Sequence, residues 1–467
     1  MNLPTAEQLA TCTTDDLRAL IGELIAIITQ QHAEIVQLKA EIARLKQPPS
    51  SRSSSQPPSR DQKANVKIKR RKKYGPPKGH PRQTRPLVEN PDHVIAAPVQ
   101  ACTQCAQDLS NLTPTDLRRR QVTELPVIKP VVIETQQAVV ICPHCQTQNV
   151  GKLPPELPDG RYFGPQLIAT VVYLKQQQHL SYQRIVETLR TLYQVELSEG
   201  TVAALLRRAG EAAQGAATVI KEQVRRSAVI QSDETSARVG GRTWWHWIFR
   251  STAGVFHQIT PRRNAAVVAD FMQDAVAEVW VSDCGGAQLC APTSARQICL
   301  SHQIRALERV VELQPKHTWA RNVQQLFRSA IHLRNRLLSD QPTLTLPGYW
   351  RRVVYFHNEL DRCLAQFVTG ELAQQLQARF VRHREALLYF LENSDVPPTN
   401  NASEQGVRTA VIHRKVTNGF RAEWGAQSYA ALLTLWATAQ QTGQNAFTKL
   451  LEICGTPVLP LLEAYSP

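Results

Sequence analysis

The sequence predicts a multidomain α+β protein, and three observations carry that prediction. A heptad stripe near the N-terminus predicts one long helix. Two C-x-x-C pairs further on predict a small metal-held domain. Short apolar runs alternating with one helical stretch over 226–303, then continuous helical periodicity over 304–395, predict a sheet domain interrupted by helices.

Composition narrows the class. The 467 residues suffice for about three domains with sizeable cores, and a hydrophobic content of 42% is that of a globular chain. A net charge of +15 points to a polyanionic partner. Ten cysteines in so long a chain do not make a disulfide scaffold, and the two C-x-x-C pairs favour metal in a reducing cytoplasm. Asp15 and Asp16 precede the first apolar stretch and no cleavage signature follows, which argues against a signal peptide. No apolar run reaches the length of a membrane span, so no membrane partner is expected.

Residues 1–47 read as a leucine-zipper-like coiled coil. Leu17, Leu24, Gln31, Leu38 and Leu45 recur every seven residues, and Ile21, Ile28, Ile35 and Ile42 recur on the same period. Isoleucine at a with leucine at d favours parallel dimers, and Glu34 and Glu41 at g would face Lys39 and Lys46 at e across the pair. The competing reading is a lone amphipathic helix packed on the body. A seam with only Gln31 polar favours the coiled coil, and with it a homodimer or higher homo-oligomer.

Residues 48–90 form a Pro/Ser-rich basic linker that cannot bury enough apolar surface to offset its ordering entropy. From Arg60 to Arg85 it holds eleven basic residues against one acidic. The cluster Lys69, Arg70, Arg71, Lys72 and Lys73 is more than a solvated linker needs and suggests phosphate contact. Residues 91–155 read as a zinc ribbon-like domain. Cys102 and Cys105 with Cys142 and Cys145 would close a structural Zn²⁺ site. Strand-like runs at 131–133 and 139–141 would bring the pairs together, and His144 is read as a non-ligand.

Residues 156–225 read as three helices with helix-turn-helix proportions, the third capped by Ser198, with Arg207 and Arg208 as candidate phosphate contacts. Plain helix packing is the alternative. Residues 226–303 give the order β-β-β-α-β-α-β, a ribonuclease H-like arrangement in which the first and fourth strands lie side by side. The helical insertion spans 304–395. Residues 396–440 hold a helix opened by Asn400-Asn401 and the end of the core, with Arg408, Arg414 and Lys415 as further DNA-binding candidates. Residues 441–467 form a helical tail.

Three acidic residues stand out. Asp233 and Asp283 each close a short apolar run that reads as a buried strand, and Glu404 lies one turn into the Asn400 helix. Two strand-end aspartates and a helix-borne glutamate can converge to hold two Mg²⁺ (or Mn²⁺) per site, hard cations that take oxygen ligands and retain room for phosphate. Each also has a structural reading: Asp233 as a strand-end group, Asp283 as a turn residue before Gly285-Gly286, Glu404 as a capping-box glutamate.

The chain resembles the transposases of the insertion sequence 66 family. The resemblance rests on "SDET" around Asp233, "SDCGGA" around Asp283, "CLSHQIRALE" with Cys299 and His302, "NNASEQGVR" around Glu404, and the block from Val416 to Phe447. It implies a DDE transposase with Asp233, Asp283 and Glu404 as catalytic metal ligands. Such an enzyme binds the element's terminal repeats, cuts the strand with water, and joins the freed 3′-OH to target DNA. It also implies a bacterial, nucleoid-associated cytoplasmic protein and accessory proteins encoded by the same element. This sequence departs from the family pattern at Thr399, Gln405 and Gly285-Gly286, none of which removes a carboxylate. Cys299 and His302 are two soft ligands, one too few for a zinc site, so they are read as packing or hydrogen-bonding residues. Two rival functions remain: a non-catalytic or domesticated DNA-binding regulator using the zipper, zinc and helix-turn-helix parts, and a structure-specific nuclease.

Overall fold

The computed structural model describes residues 13–45, 80, 85–154, 160, 162–339 and 345–455. The Lys69–Lys73 cluster and most of the expected linker lie outside them. The described residues fall into two compact units, one formed by 13–45, 134–187 and 197–455, the other by 80, 85–133 and 188–196.

Helix α1 (Thr14–Leu45) is unbroken over 32 residues. Thr13 opens it: the Asp16 N–H donates to the Thr13 hydroxyl at 3.3 Å, and the Asp16 carboxylate accepts from the Thr13 N–H at 3.0 Å. This reciprocal cap satisfies two orphan donors, with aspartate in the place usual for glutamate. Ile21, Ile28, Ile35, Leu38 and Ile42 are 47–63% exposed, so these seam positions face solvent in the single chain.

The two C-x-x-C sequences fold alike. The Cys102 N–H donates to the Gln107 carbonyl and the Ala106 N–H returns to the Cys102 carbonyl; Cys142, Thr147 and Gln146 repeat the pattern. Ala106 and Gln146 both take a left-handed conformation at φ 58°. The knuckles belong to different units, and each stands by itself as a turn. The second knuckle joins β1 (Val139–Ile141) to β2 (Gln148–Val150), an antiparallel hairpin with Val139 opposite Val150. The strand expected at 131–133 does not form. A strand exists through its pairing, and Pro130 beside that run contributes no N–H, whereas the knuckle turn hands 139–141 a partner.

Three helices follow: α2 (Pro165–Gln176), α3 (Tyr182–Tyr193) and α4 (Glu199–Arg225). Ser198 caps α4, accepting the Thr201 N–H at 3.0 Å. The 27-residue α4 ends with the expected helical span, and Val202, Leu205, Ala209, Ala213, Ala217 and Val224 keep one face buried to its end.

The sheet comprises β3 (Val229–Val239), β4 (Arg242–Ser251), β5 (Gly254–Thr260), β6 (Ala277–Ser282) and β7 (Thr293–Ile298), in the order β5-β4-β3-β6-β7. The first three pair antiparallel and the last two add parallel. Gly240 and Gly241, both at positive φ, close the β3–β4 hairpin in the two-residue form that side chains resist. Helix α5 (Ala265–Met272) crosses back between β5 and β6, and the four-residue α6 (Gly286–Leu289) is the helix expected between β6 and β7. On the α5 face Trp247, Phe249, Phe271 and Trp280 are fully buried, with Phe249 and Phe271 stacked at 3.8 Å. Each such side chain contributes about 1.5–3 kcal/mol of burial.

The insertion consists of α7 (Leu300–Leu313), α8 (Thr318–Leu337), α9 (Leu346–Leu364) and α10 (Glu371–Arg382) around a core that also takes in Val279 and Val281 of β6. The helix expected to run on to about 392 stops at Arg382. Beyond it the Gln297 amide on β7 bonds the Leu387 carbonyl and the Phe390 N–H, fixing two short 3₁₀ turns that bury Leu387, Leu388, Phe390 and Leu391. Those contacts cover the β7 edge. The other edge is closed from α12 (Glu423–Gln441), which follows α11 (Asn401–Thr417): Thr434 and Thr438 hydroxyls accept the His257 and Val255 N–H groups of β5. The expected C-terminal helix is α13 (Ala446–Cys454).

Candidate active site

Parallel pairing sets two of the three acidic residues level. Val229, Ile230 and Gln231 of β3 pair with Val279, Trp280 and Val281 of β6, each 50 positions on. Continued two residues, that offset places Asp233 beside Asp283, and side-chain alternation turns both to the face opposite Trp280. Asp283 follows the last residue of β6, as expected. Asp233 does not end its strand: β3 runs six residues further because β4 continues to pair with it, Asp233 facing Ile248. What ends near Asp233 is the pairing with β6, and the opening lies there. The turn reading of Asp283 also holds, since its Oδ1 accepts the Gly285 N–H at 2.8 Å. A Cβ at Gly285 would stand 2.9 Å from that oxygen, so the glycine permits the approach.

Glu404 joins the same face from α11. Gly406, one turn in, lets the helix lie directly on β4, since a Cβ there would meet Ile248 Cδ1 at 2.4 Å. The capping-box reading of Glu404 fails. Its carboxylate faces Arg305 Nη2 at 3.3 Å and His302 Nδ1 at 3.4 Å, both on α7. Asn400 spends its side chain elsewhere, donating to the Ser232 carbonyl at 2.7 Å.

Electrostatics fits the crowding. Burial pushes the Asp233 carboxyl up to about 8, and the charges of Asp283, Glu234 and Glu404 add to it; the Glu234 N–H bonded to its Oδ1 works against them. A carboxylate at Asp233 is thus disfavoured beside its acidic neighbours, and divalent cations on oxygen ligands are what would offset that repulsion. The donor set is all carboxylate, which fits Mg²⁺ or Mn²⁺.

Sequence reading missed Glu234. Its side chain is 3% exposed and points to the opposite face, where Arg263 pairs with it at 3.2 Å and Gln288 donates at 2.6 Å. Gln288 in turn accepts from the Trp280 indole at 3.2 Å. This network props the strand on which Asp233 sits. The signal was available: a second charge next to Asp233, in a strand buried on both faces, demands a partner. Arg305 went unnoticed too, inside the "CLSHQIRALE" motif.

The candidate DNA contacts differ in their surroundings. Arg208, Arg408 and Lys415 are exposed, and Arg207 is exposed with Glu211 at 3.0 Å. Arg414 is tied to Ser236 of β3 through both its carbonyl and its hydroxyl. His413, part of the same basic run, is buried between Phe420 and Tyr429, and burial lowers its pKa to about 3, so it adds no charge there. Among the described residues no helix is long and apolar enough to cross a membrane.

Comparison with known families gives one match. The model of the family described as "Transposase IS66 family" aligns with residues 160–428, a span holding all three acidic residues. No curated protein matches the chain.

Proposed function

The chain belongs to the IS66 transposase family, and from that premise we propose that it is a DDE transposase acting at the ends of its element. Asp233, Asp283 and Glu404 are its metal ligands. When bound, two Mg²⁺ (or Mn²⁺) would supply an activated oxygen nucleophile and stabilise the charge on the attacking and leaving oxygens. The chain's own residues do the rest. Asp233 stands on paired backbone and Asp283 directly follows the paired Ser282, so both backbones are held. Glu404 is steered by Arg305 and His302. The observation that carries the reading is that β3, which bears Asp233, pairs parallel with β6, which Asp283 directly follows, and that the charges of both Asp283 and Glu404 disfavour ionisation of Asp233.

The sheet order, three antiparallel strands followed by two parallel ones, supports a ribonuclease H-like core. Structural Zn²⁺ is proposed at the cysteine knuckles, Cys102 and Cys105 in one and Cys142 and Cys145 in the other, because both form the same turn with two thiols to offer. The solvent-facing stripe of α1 supports pairing of protomers. Arg207, Arg208, Arg408, Arg414, Lys415 and the Lys69–Lys73 cluster are proposed DNA contacts, with terminal repeats and target DNA as partners.

The decisive experiment incubates purified protein with labelled element-end DNA and Mg²⁺. Strand cleavage at the ends followed by joining is expected. Tight end binding with no cleavage in Mg²⁺ or Mn²⁺ would establish the regulator reading instead, and cleavage indifferent to the terminal sequence would indicate a nuclease.

A further inference from the structure

Read from sequence, Cys299 and His302 are one ligand short of a metal site. The fold supplies the third. Cys299 Sγ lies 3.9 Å from Glu404 Oε1, and His302 Nδ1 lies 3.4 Å from the same oxygen. All three donor atoms stand within 4.8 Å of one another, and among the described residues no other such group of histidine, cysteine and carboxylate donors occurs. A tetrahedral ion with Zn–S of about 2.3 Å and Zn–N and Zn–O of about 2.0–2.1 Å sets its ligand atoms roughly 3.3–3.6 Å apart. The observed separations to Glu404 need to close by only a few tenths of an ångström.

His302 Nδ1 is buried and makes no hydrogen bond to any described residue. The Cys299 sulfur faces the same space and accepts the Asn400 N–H at 3.1 Å; burial pushes its thiol up, so an ion bound there must displace the proton. Arg305 also touches Glu404 Oε1, at 3.3 Å. A carboxylate offers about four lone-pair sites, so a guanidinium and a metal can share it.

We propose that Cys299, His302 and Glu404 bind a soft divalent cation, zinc foremost, with a fourth position open. Sulfur and imidazole select such an ion over Mg²⁺, which wants oxygen and octahedral geometry. Because the site takes Glu404, zinc bound there withdraws a carboxylate from the hard-cation pair and acts as an inhibitor. Binding follows from the geometry alone; the inhibitory consequence rests on the transposase reading.

The test measures zinc retained by the full chain after equilibration in zinc buffer and removal of free metal, for wild type, Cys299→Ser and His302→Gln. Each variant should retain one zinc fewer than wild type, whatever the cysteine knuckles hold, because their contribution cancels in the difference. With Co²⁺, Cys299→Ser should also lose part of the near-ultraviolet thiolate charge-transfer absorbance. Equal metal content in wild type and both variants overturns the proposal. Should circular dichroism show that Cys299→Ser does not fold, the partly exposed His302→Gln decides alone. Mg²⁺-dependent cleavage by zinc-free protein is measured separately. Cleavage without the zinc difference sinks this inference and leaves the transposase reading, and the zinc difference without cleavage does the reverse.

Discussion

The Asn400 backbone N–H donates to the sulfur of Cys299 at 3.1 Å, and through this pair three separate elements meet. The Cys299 N–H donates to the carbonyl of Ser282, next to Asp283, at 2.8 Å. The Asn400 side chain donates to the carbonyl of Ser232, next to Asp233, at 2.7 Å. Asn400 also begins the helix that carries Glu404. A short hydrogen-bonded chain therefore fixes the neighbours of all three carboxylates.

Asn400→Ala should orphan the buried Ser232 carbonyl and cost about 1–3 kcal/mol of stability. It should also lower cleavage by about a hundredfold, the scale of an ångström-sized misplacement, and raise the Mg²⁺ concentration for half-maximal cleavage. Urea denaturation and a metal titration of cleavage check this. Loss of stability with an unchanged metal midpoint would reduce Asn400 to a packing residue.

The triad itself makes a sharper prediction. Asp233→Asn, Asp283→Asn and Glu404→Gln should each abolish cleavage and joining while leaving end binding largely intact. Their effects should not add, because a site that has lost one ligand is already inactive. Normal cleavage by Glu404→Gln would remove it from the machinery. Glu423, the next acidic residue, offers no ready replacement: it is exposed and accepts from Gln427 of its own helix.

pH separates two buried sets. The folded Asp233 carboxyl, held up at about 8 from 3.8, binds a proton that the unfolded chain has released. Its contribution to stability is complete below about pH 4 and is lost as pH rises towards about 8. Buried His246 and His413, lowered to about 3 from 6.5, act the other way, and their contribution is lost as pH falls from about 6.5. In chelator, the thermal midpoint of wild type relative to Asp233→Asn should therefore fall between about pH 4 and about pH 8, and Mg²⁺ should flatten that fall. A difference independent of pH would mean that Asp233 ionises normally.

Pairing through α1 is tested with Ile28→Lys and Ile35→Lys together. Both side chains are exposed in the single chain, so the fold of the rest should survive. Sedimentation should show a smaller species than wild type. An unchanged oligomer would locate the interface elsewhere.

The cysteine knuckles predict structural zinc. Cys102→Ser or Cys142→Ser should lose bound zinc and lower the thermal stability of the knuckle region. Metal analysis finding no zinc in freshly reduced, folded wild type would refute it.

The sequence by itself determined what depends on near neighbours. The heptad period set α1, Ser198 set the start of α4, and Gly240-Gly241 set the hairpin, because side-chain period, caps and turn residues act within a few positions. It also supplied the three carboxylates, since each stands beside a local signal: an apolar strand or the Asn400-Asn401 helix start. Tertiary structure decided whatever required a partner far along the chain. The run at 131–133 stayed unpaired, α10 stopped where Gln297 took its successors' backbone groups, and β3 continued past Asp233 because β4 was there to pair. The same reason hid Glu234 behind Asp233 and left Cys299 and His302 looking incomplete. Their third partner, Glu404, lies about a hundred residues further on, and only the close approach of α7 and α11 brings it within reach.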